Sequence, residues 1–411
     1  MLFLKILFSI VAGLIVLQLI YPFLGNLVAQ CCAKAHLPVK ESSGTADFAC
    51  IITAYKNADI ARPLIDSLLK QNYPDFHIYL VADECPPFDP LQDPRLTVIQ
   101  PPQALRLKAK SIILATENFL RPHTHTVIFD ADNLAHPLFL QEINRYLQAG
   151  FLCVQGRRTA KNLNSTYAAL DSLGEHYKNY IERYVPYLLG GSAVISGSGM
   201  ATETALYQAY LNAPEIQQGQ HQWKKMLQED KILQNFLVRR KVRIAYARDA
   251  VVFDEKVSSG AAVETQRSRW LFSYFQNLPN SGGIFLRGLL GANWMQLYFG
   301  FVTMVLPMFI QVALACLWGA LALFFAPFWA LALALALLIF SANVYWTLYL
   351  DRAPAAVLAA ARKAPWFVLR QLMGLFKMGN PNKHFKHTEH QHHVRVEELL
   401  GEKQDTHGTP P

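Results

Sequence analysis

The sequence predicts an α/β protein in which a mostly parallel β-sheet with flanking helices is joined to helices that cross a membrane. Three observations carry that prediction. Strand-like runs near 48–53, 77–82, 96–99, 126–130 and 151–155 alternate with helix-like runs near 59–71, 108–119 and 137–148, the alternation of βαβ units. The acidic turn Asp130-Ala131-Asp132 follows the β-branched and aromatic run Thr126-Val127-Ile128-Phe129. Two carboxylates therefore emerge together at a strand's carboxyl end, where open α/β sheets bind ligands. Finally, 52% of the 411 residues are hydrophobic, and many of them fall in long uncharged runs.

Taken in order, Met1 to Leu27 holds only Lys5 as a charge and is long enough to cross a bilayer, so residues 1–30 are expected to form a transmembrane helix. No small-x-small site precedes a break, and Gln30 stands before Cys31, which argues for retention rather than cleavage of a leader. Residues 31–47 are a polar linker with Lys, Ser and Gly. The α/β domain is expected over 48–285, with a nucleotide-binding layout.

From Ala292 to Leu350 there is no charged residue, so 286–352 is expected to be a membrane region with two spanning helices and a short turn near Ala326-Pro327. Residues 353–380 mix aliphatic, aromatic and basic side chains, suit the membrane interface, and are interrupted by Pro365. Residues 381–411 are expected to be a cytosolic tail. Its histidines 384, 387, 390, 392 and 393 follow no ordinary metal-ligand spacing.

Arg352, Arg362, Lys363, Arg370, Lys377, Lys383 and Lys386 follow the last apolar run. The positive-inside rule puts them, and with them the α/β domain, in the cytosol of a multi-pass protein of the plasma or inner membrane. Net charge is 38 − 30 = +8. Because much of the excess lies beside the membrane, anionic headgroups are the first partner it implies, at about 1 kcal/mol per basic residue, rather than nucleic acid. Six cysteines (31, 32, 50, 85, 153, 316) show no metal-like spacing and are given no role.

Chemistry enters through three clusters: Asp130-Ala131-Asp132, Glu229-Asp230 before Ile232, Leu233 and Phe236, and Gln266-Arg267-Ser268-Arg269-Trp270 shortly before the membrane region. With Cys50-Ile51-Ile52-Thr53-Ala54-Tyr55-Lys56-Asn57 and Ile78-Tyr79-Leu80-Val81-Ala82-Asp83, they resemble the membrane-bound family-2 glycosyltransferases. Cellulose, hyaluronan and poly-N-acetylglucosamine synthases and ceramide glucosyltransferases belong there, and the likeness spans roughly 48–390. Lys56-Asn57 stands where Asn-Glu is common, and Asp83-Glu84-Cys85-Pro86-Pro87 replaces a D-D-x-S-x-D pattern.

The resemblance implies a GT-A fold, a nucleotide-sugar donor (a UDP-sugar as first expectation) and Mg2+ or Mn2+. It places Thr53, Tyr55, Asp83, Lys110 and Asp130 at the nucleotide sugar. Asp132 becomes the more direct metal ligand with Asp130 beside it, and Gln266, Arg269 and Trp270 hold the acceptor. Ser196-Gly197-Ser198-Gly199-Met200 is similar to a small-residue loop near the acceptor.

The residue types suit the reaction. Charge builds on the leaving diphosphate and is neutralised by a hard cation with oxygen ligands. The acceptor hydroxyl loses a proton to one positioned carboxylate, for which Asp230 is the candidate. Trp offers a flat face to a sugar, and a guanidinium can bridge phosphate oxygens. By the family likeness, the expected reaction is an inverting, single-displacement transfer to a growing β-linked polysaccharide. The alternatives are one transfer to a lipid acceptor and an inactive membrane adaptor. Three spans are few for a polymer channel in one chain, so export implies a homo-oligomer or a partner.

Overall fold

The computed structural model describes residues 2–32, 44–89, 91–222, 228–258, 260–364, 367–368, 371–372 and 396–405. The chain begins with α1 (Leu2–Cys32), then β1 (Phe48–Tyr55), a 3-10 turn at Asp59–Ala61, α2 (Arg62–Leu69), β2 (Phe76–Asp83), β3 (Leu96–Ile99) and α3 (Lys108–Glu117). Next come β4 (His125–Asp130), β5 (Leu134–Ala135), α4 (Phe139–Gln148) and β6 (Cys153–Ala160). Helix α5 (Thr166–Lys178) runs on through a π-helical turn (Asn179–Tyr184) into α6 (Val185–Leu188). The domain continues with β7 (Met200–Glu203), α7 (Thr204–Leu211), α8 (Pro214–Gln222), α9 (Glu229–Arg239), β8 (Ile244–Asp254) and α10 (Gly260–Leu290). The remaining helices are α11 (Trp294–Met304), α12 (Met308–Phe325), α13 (Pro327–Leu350), α14 (Ala355–Ala361) and α15 (Val396–Asp405).

The strands form one mixed sheet in the order β3-β2-β1-β4-β7-β6-β8-β5. β3, β2, β1 and β4 run parallel, β7 is antiparallel to both its neighbours, and β6 and β8 pair in parallel. β2 is buried along its whole length and β1 nearly so, as expected of strands covered on both faces. Local chemistry supports the helices around them. Ser165 Oγ accepts from the Ala168 amide and caps α5, and α4 buries Phe139, Leu140, Ile143, Tyr146 and Leu147 on one stripe.

The parallel half matches the expected strands closely. The other half is longer than expected, because β6 runs on past Gln155 through Gly156, Arg157 and Arg158, residues that do not read as a strand. Gly156 has a steric reason to lack a side chain, since a Cβ there would lie 2.7 Å from the Ala250 carbonyl oxygen and 2.9 Å from that of Gly199. The register between β6 and β8 shifts at this point, where Gly156 pairs with Ala247 and Arg157 with Val251.

Among the described residues three helices, α1, α12 and α13, are long and apolar enough to cross a membrane. The turn between the last two falls at Ala326, as expected. The start of the uncharged stretch behaves differently. α11, only 11 residues or about 16 Å long, is too short to span, and it buries Tyr298, Phe299 and Val302 in the main core of the α/β domain. The expected boundary at 285/286 lies inside α10, which forms a close hairpin with α11. A Cβ on Gly288 would meet the Leu297 backbone nitrogen at 2.1 Å.

Polar side chains tie the apolar helices together. Asn26 donates to Asn343 Oδ1 (2.7 Å) and Thr347 Oγ1 (2.9 Å), joining α1 to α13. Gln30 donates to Tyr180 Oη in the π-helical turn (2.8 Å). At the end of α13, Asp351 is almost fully buried and faces Arg157 (3.1 Å), His176 Nδ1 (2.6 Å) and Arg248 (3.8 Å). Within the segment expected at the interface, α14 packs Val357, Ala360 and Ala361 against Ala169, Leu170 and Leu173 of α5. Residues 373–395, including the histidine run, lie outside the described residues.

Candidate active site

β1 and β4 end side by side, with Thr53 in register with Asp130, so the acidic turn opens at the carboxyl edge of the parallel half of the sheet. Asn133 shapes that turn. Its Oδ1 accepts the Asp130 amide (3.1 Å) and its Nδ2 reaches Asp132 Oδ1 (3.4 Å). Lys161 at the end of β6 donates to the Asp132 carbonyl oxygen (3.4 Å).

Lys108, the first residue of α3, stands at the centre. Its Nζ donates to Asp130 Oδ1 (2.6 Å) and to the Gly197 carbonyl oxygen (3.1 Å), and lies 3.7 Å from Glu229 Oε1. Burial disfavours the charge on this amine, yet Asp130 and Glu229 outweigh it and hold its pKa above the usual lysine value. Burial also pushes the Glu229 carboxyl up; Lys108 opposes that shift and Asp230 reinforces it.

Glu229 and Asp230 occupy the first turn of α9, where the helix dipole favours negative charge. Gly197 adopts φ +88°, a conformation that favours glycine, and lies beside Asp230, since a Cβ there would sit 3.8 Å from Asp230 Cβ. The acidic turn, the small-residue loop and the start of α9 thus converge around one lysine amine.

The loop 196–199 is held from beneath. Arg158 donates to the Ser196 carbonyl oxygen (2.6 Å) and pairs with Asp254, and Gln155 Nε2 donates to the Ser198 carbonyl oxygen (3.0 Å). Lys256 bridges Asp254 (2.9 Å) and Glu175 (3.6 Å), and Arg183 from the π-helical turn completes the chain at Glu175 (2.9 Å). Burial would raise the Glu175 carboxyl, but Lys256, Arg158 and Arg183 hold it well below the usual carboxylate range.

The other expected site residues fall into two groups. Asp83 is 2% exposed, and both its carboxylate oxygens accept backbone amides, from Leu105 (2.8 Å) and Arg106 (2.6 Å). It therefore anchors the segment leading into α3. Beside it, the Arg106 guanidinium pairs with Glu84 (2.7 Å), whose carboxylate also holds a hydrogen bond with Tyr55. Lys110 sits two residues beyond Lys108 on the same helix and makes no ion pair among the described residues.

Gln266, Arg269 and Trp270 lie in the first half of α10, where Arg267 pairs with Asp171 of α5 (2.5 Å). The Trp270 ring has Arg267 4.5 Å and Lys178 5.0 Å from its centroid. Burial lowers the Arg269 pKa. Farther along, Gln276 and Asn277 hydrogen-bond to Gln228 and Asn235, which fastens α10 to α9.

Lys108 is the residue that sequence reasoning passed over. Positions i and i+2 of a helix lie about 200° apart, so only one of Lys108 and Lys110 can face Asp130. No sequence signal separates the two, because the choice depends on how α3 is turned against β4 in the fold.

Asp130 and Asp132 suit a hard divalent ion. Asp130 already holds a cationic amine at 2.6 Å, and an ion shared with diphosphate oxygens needs only one or two protein carboxylates. No group of three or more His, Cys, Asp or Glu among the described residues forms a fuller ligand cluster.

Comparison with solved structures gives a mannosyltransferase from Pyrobaculum calidifontis in complex with GDP-Man and Mn2+. The TM-score is 0.52 and the identity 15%, over 87% of this chain and 99% of that one, a likeness of fold. S. aureus TarS 1–349 aligns over 81% of this chain and 92% of its own at TM-score 0.39 and 15% identity. Its complex with UDP-GlcNAc aligns over 52% and 59% at 0.34 and 14%. No curated protein sequence matches significantly. Residues 46–273, more than half of the 411, match the family described as glycosyltransferase like family 2, and the chain therefore belongs to that family of glycosyltransferases.

Proposed function

We propose that this glycosyltransferase is a multi-pass membrane enzyme with a cytosolic catalytic domain. It transfers a sugar from a nucleotide donor to a membrane-presented acceptor, with inversion at the anomeric carbon. The observation that carries the reading is the convergence of Asp130, Glu229, Asp230 and the Gly197 loop around Lys108. Asp230 takes the acceptor proton, and Lys108 meets negative charge on the diphosphate. Mg2+ or Mn2+ held by Asp132 and Asp130 would neutralise the remaining charge of the leaving group. Inversion follows from the family likeness, with Asp230 as the candidate base. Gln266, Arg269 and Trp270 belong to the acceptor side, and Thr53, Tyr55 and Asp83 to the nucleotide side, Asp83 through the backbone that it anchors.

The acceptor is a growing β-linked polysaccharide or a lipid. One observation favours the lipid: the three long helices pack directly on one another through Ala12, Ile15 and Leu19 of α1, Ala315 of α12, and Leu333, Ala336 and Phe340 of α13, which leaves little room for a polymer to cross within one chain. Purified protein in lipid, incubated with UDP- and GDP-sugars with Mn2+ or with chelator, tests the reading. Product of one added sugar on extracted lipid supports the lipid acceptor, and a ladder of sizes supports the polymer. Full activity in chelator would remove the metal, and no turnover of any nucleotide sugar would overturn the function.

A further inference from the structure

The C-terminal helix α15 returns to the catalytic domain at the end of the sheet. Val396 is 3% exposed and forms one apolar cluster with Leu134 of β5 and Phe253 of β8, flanked by Val251, Leu399 and Leu400. Glu397 pairs with Lys70 at the end of α2 (2.6 Å), which also holds Asp66 (2.7 Å). β5 is two residues long, lies at the end of the sheet and pairs only with β8. Its Ala135 amide is satisfied by Ser67 Oγ of α2 (3.0 Å).

This clamp closes on the acidic turn. Leu134 follows Asp132 by two residues, so in extended chain the two α-carbons lie within about 7 Å. Phe253 precedes Asp254, which pairs with Arg158 under the Gly197 loop, and Glu255 faces Lys161 (3.9 Å), whose amine reaches the Asp132 carbonyl oxygen. Both strands gripped by α15 therefore lead straight into groups that shape the donor side of the site.

We propose that α15 is a positioning element for the Asp130-Ala131-Asp132 turn, so that the segment following the membrane helices sets how well the enzyme holds the diphosphate and its divalent ion. The inference rests on the proposed role of that turn. Val396 acts as the key, Leu134 as its seat, and the Lys70–Glu397 pair as a weaker surface latch.

The test compares wild type, Val396→Asp, Val396→Ile and the milder Leu399→Ser in the full-length protein in lipid. UDP binding with Mn2+ is measured by calorimetry, Mn2+ alone by its electron-paramagnetic-resonance signal, and amide exchange over 131–135 in metal-free protein. Undocking should weaken UDP and Mn2+ binding about three- to tenfold and speed exchange at 131–135, with thermal unfolding nearly unchanged. Val396→Ile should behave as wild type.

If wild type itself binds neither UDP nor Mn2+, the reading of the site fails. If wild type binds and Val396→Asp binds equally well with unchanged exchange, the proposal about α15 is overturned. Should Val396→Asp unfold, Leu399→Ser decides in its place by the same measurements.

Discussion

Lys108 and Lys110 stand two residues apart, and only Lys108 turns toward Asp130, Glu229 and the Gly197 carbonyl. Removing its charge takes the Lys108 counter-charge away from Asp130 and Glu229 in a pocket meant for a diphosphate. Lys108→Met should therefore weaken nucleotide-sugar binding roughly tenfold or more, as expected for a hydrogen bond to a charged group, whereas Lys110→Met should change it little. Titration calorimetry separates the two, and equal effects would refute the assignment of Lys108. Asp230 makes the opposite prediction. It acts on the acceptor, so Asp230→Asn should lower turnover about a hundredfold to ten-thousandfold while donor affinity stays near wild type. Parallel loss of binding and rate would show instead that Asp230 holds the donor.

Among the elements, the contact between α13 and the sheet includes one buried carboxylate, beside the hydrogen bonds of Arg248 to the Leu350 carbonyl oxygen and of Arg157 to that of Asp351. Asp351 faces Arg157, His176 and Arg248 with 1% exposure, and removing its carboxylate takes a shared partner from two partly buried guanidinium groups and a buried imidazole. Asp351→Ala should cost about 1.5–3 kcal/mol in unfolding free energy, the range for a hydrogen bond to a charged group, measured by denaturant titration in detergent. The Asn26 hydrogen bonds between α1 and α13 are worth less, because unfolded helices in a bilayer find other partners; Asn26→Leu should cost about 0.6 kcal/mol. If the order is reversed, the helices are joined mainly through the bilayer rather than through the domain. The limits of sequence reading also show at this level. β1, β2 and β4 were legible because apolar runs mark strands buried on both faces, whereas the extension of β6 past Gln155 sends Arg157 to Asp351 and Arg158 to Asp254, pairings that no apolar pattern reports.

For the whole molecule, the three long helices meet the α/β domain at a common end. Gln30 of α1 reaches Tyr180, and Asp351 after α13 reaches Arg157, while Ser9 and Trp329 pair toward the opposite end (3.0 Å). With basic residues following α13, this arrangement predicts that the domain faces the cytosol, where nucleotide sugars are made. In intact cells, with the native cysteines replaced, a membrane-impermeant thiol reagent should label Ala326→Cys in the outer turn and miss Gln92→Cys and Gly401→Cys. Labelling of either of the last two would invert the topology and separate the enzyme from its donor.

The amino-acid sequence by itself determined the α/β class, the long apolar helices and the acidic and aromatic clusters, because hydrophobic periodicity and charge placement are local properties that survive without a fold. Only the tertiary structure decided which lysine meets Asp130, that both oxygens of Asp83 accept backbone amides, that α11 is buried in the domain, and that α15 docks beside the acidic turn. Each of these is a pairing between segments far apart in the chain. A residue's type announces what it can bind, but its partner is chosen by which surfaces the folded backbone brings within a few ångströms.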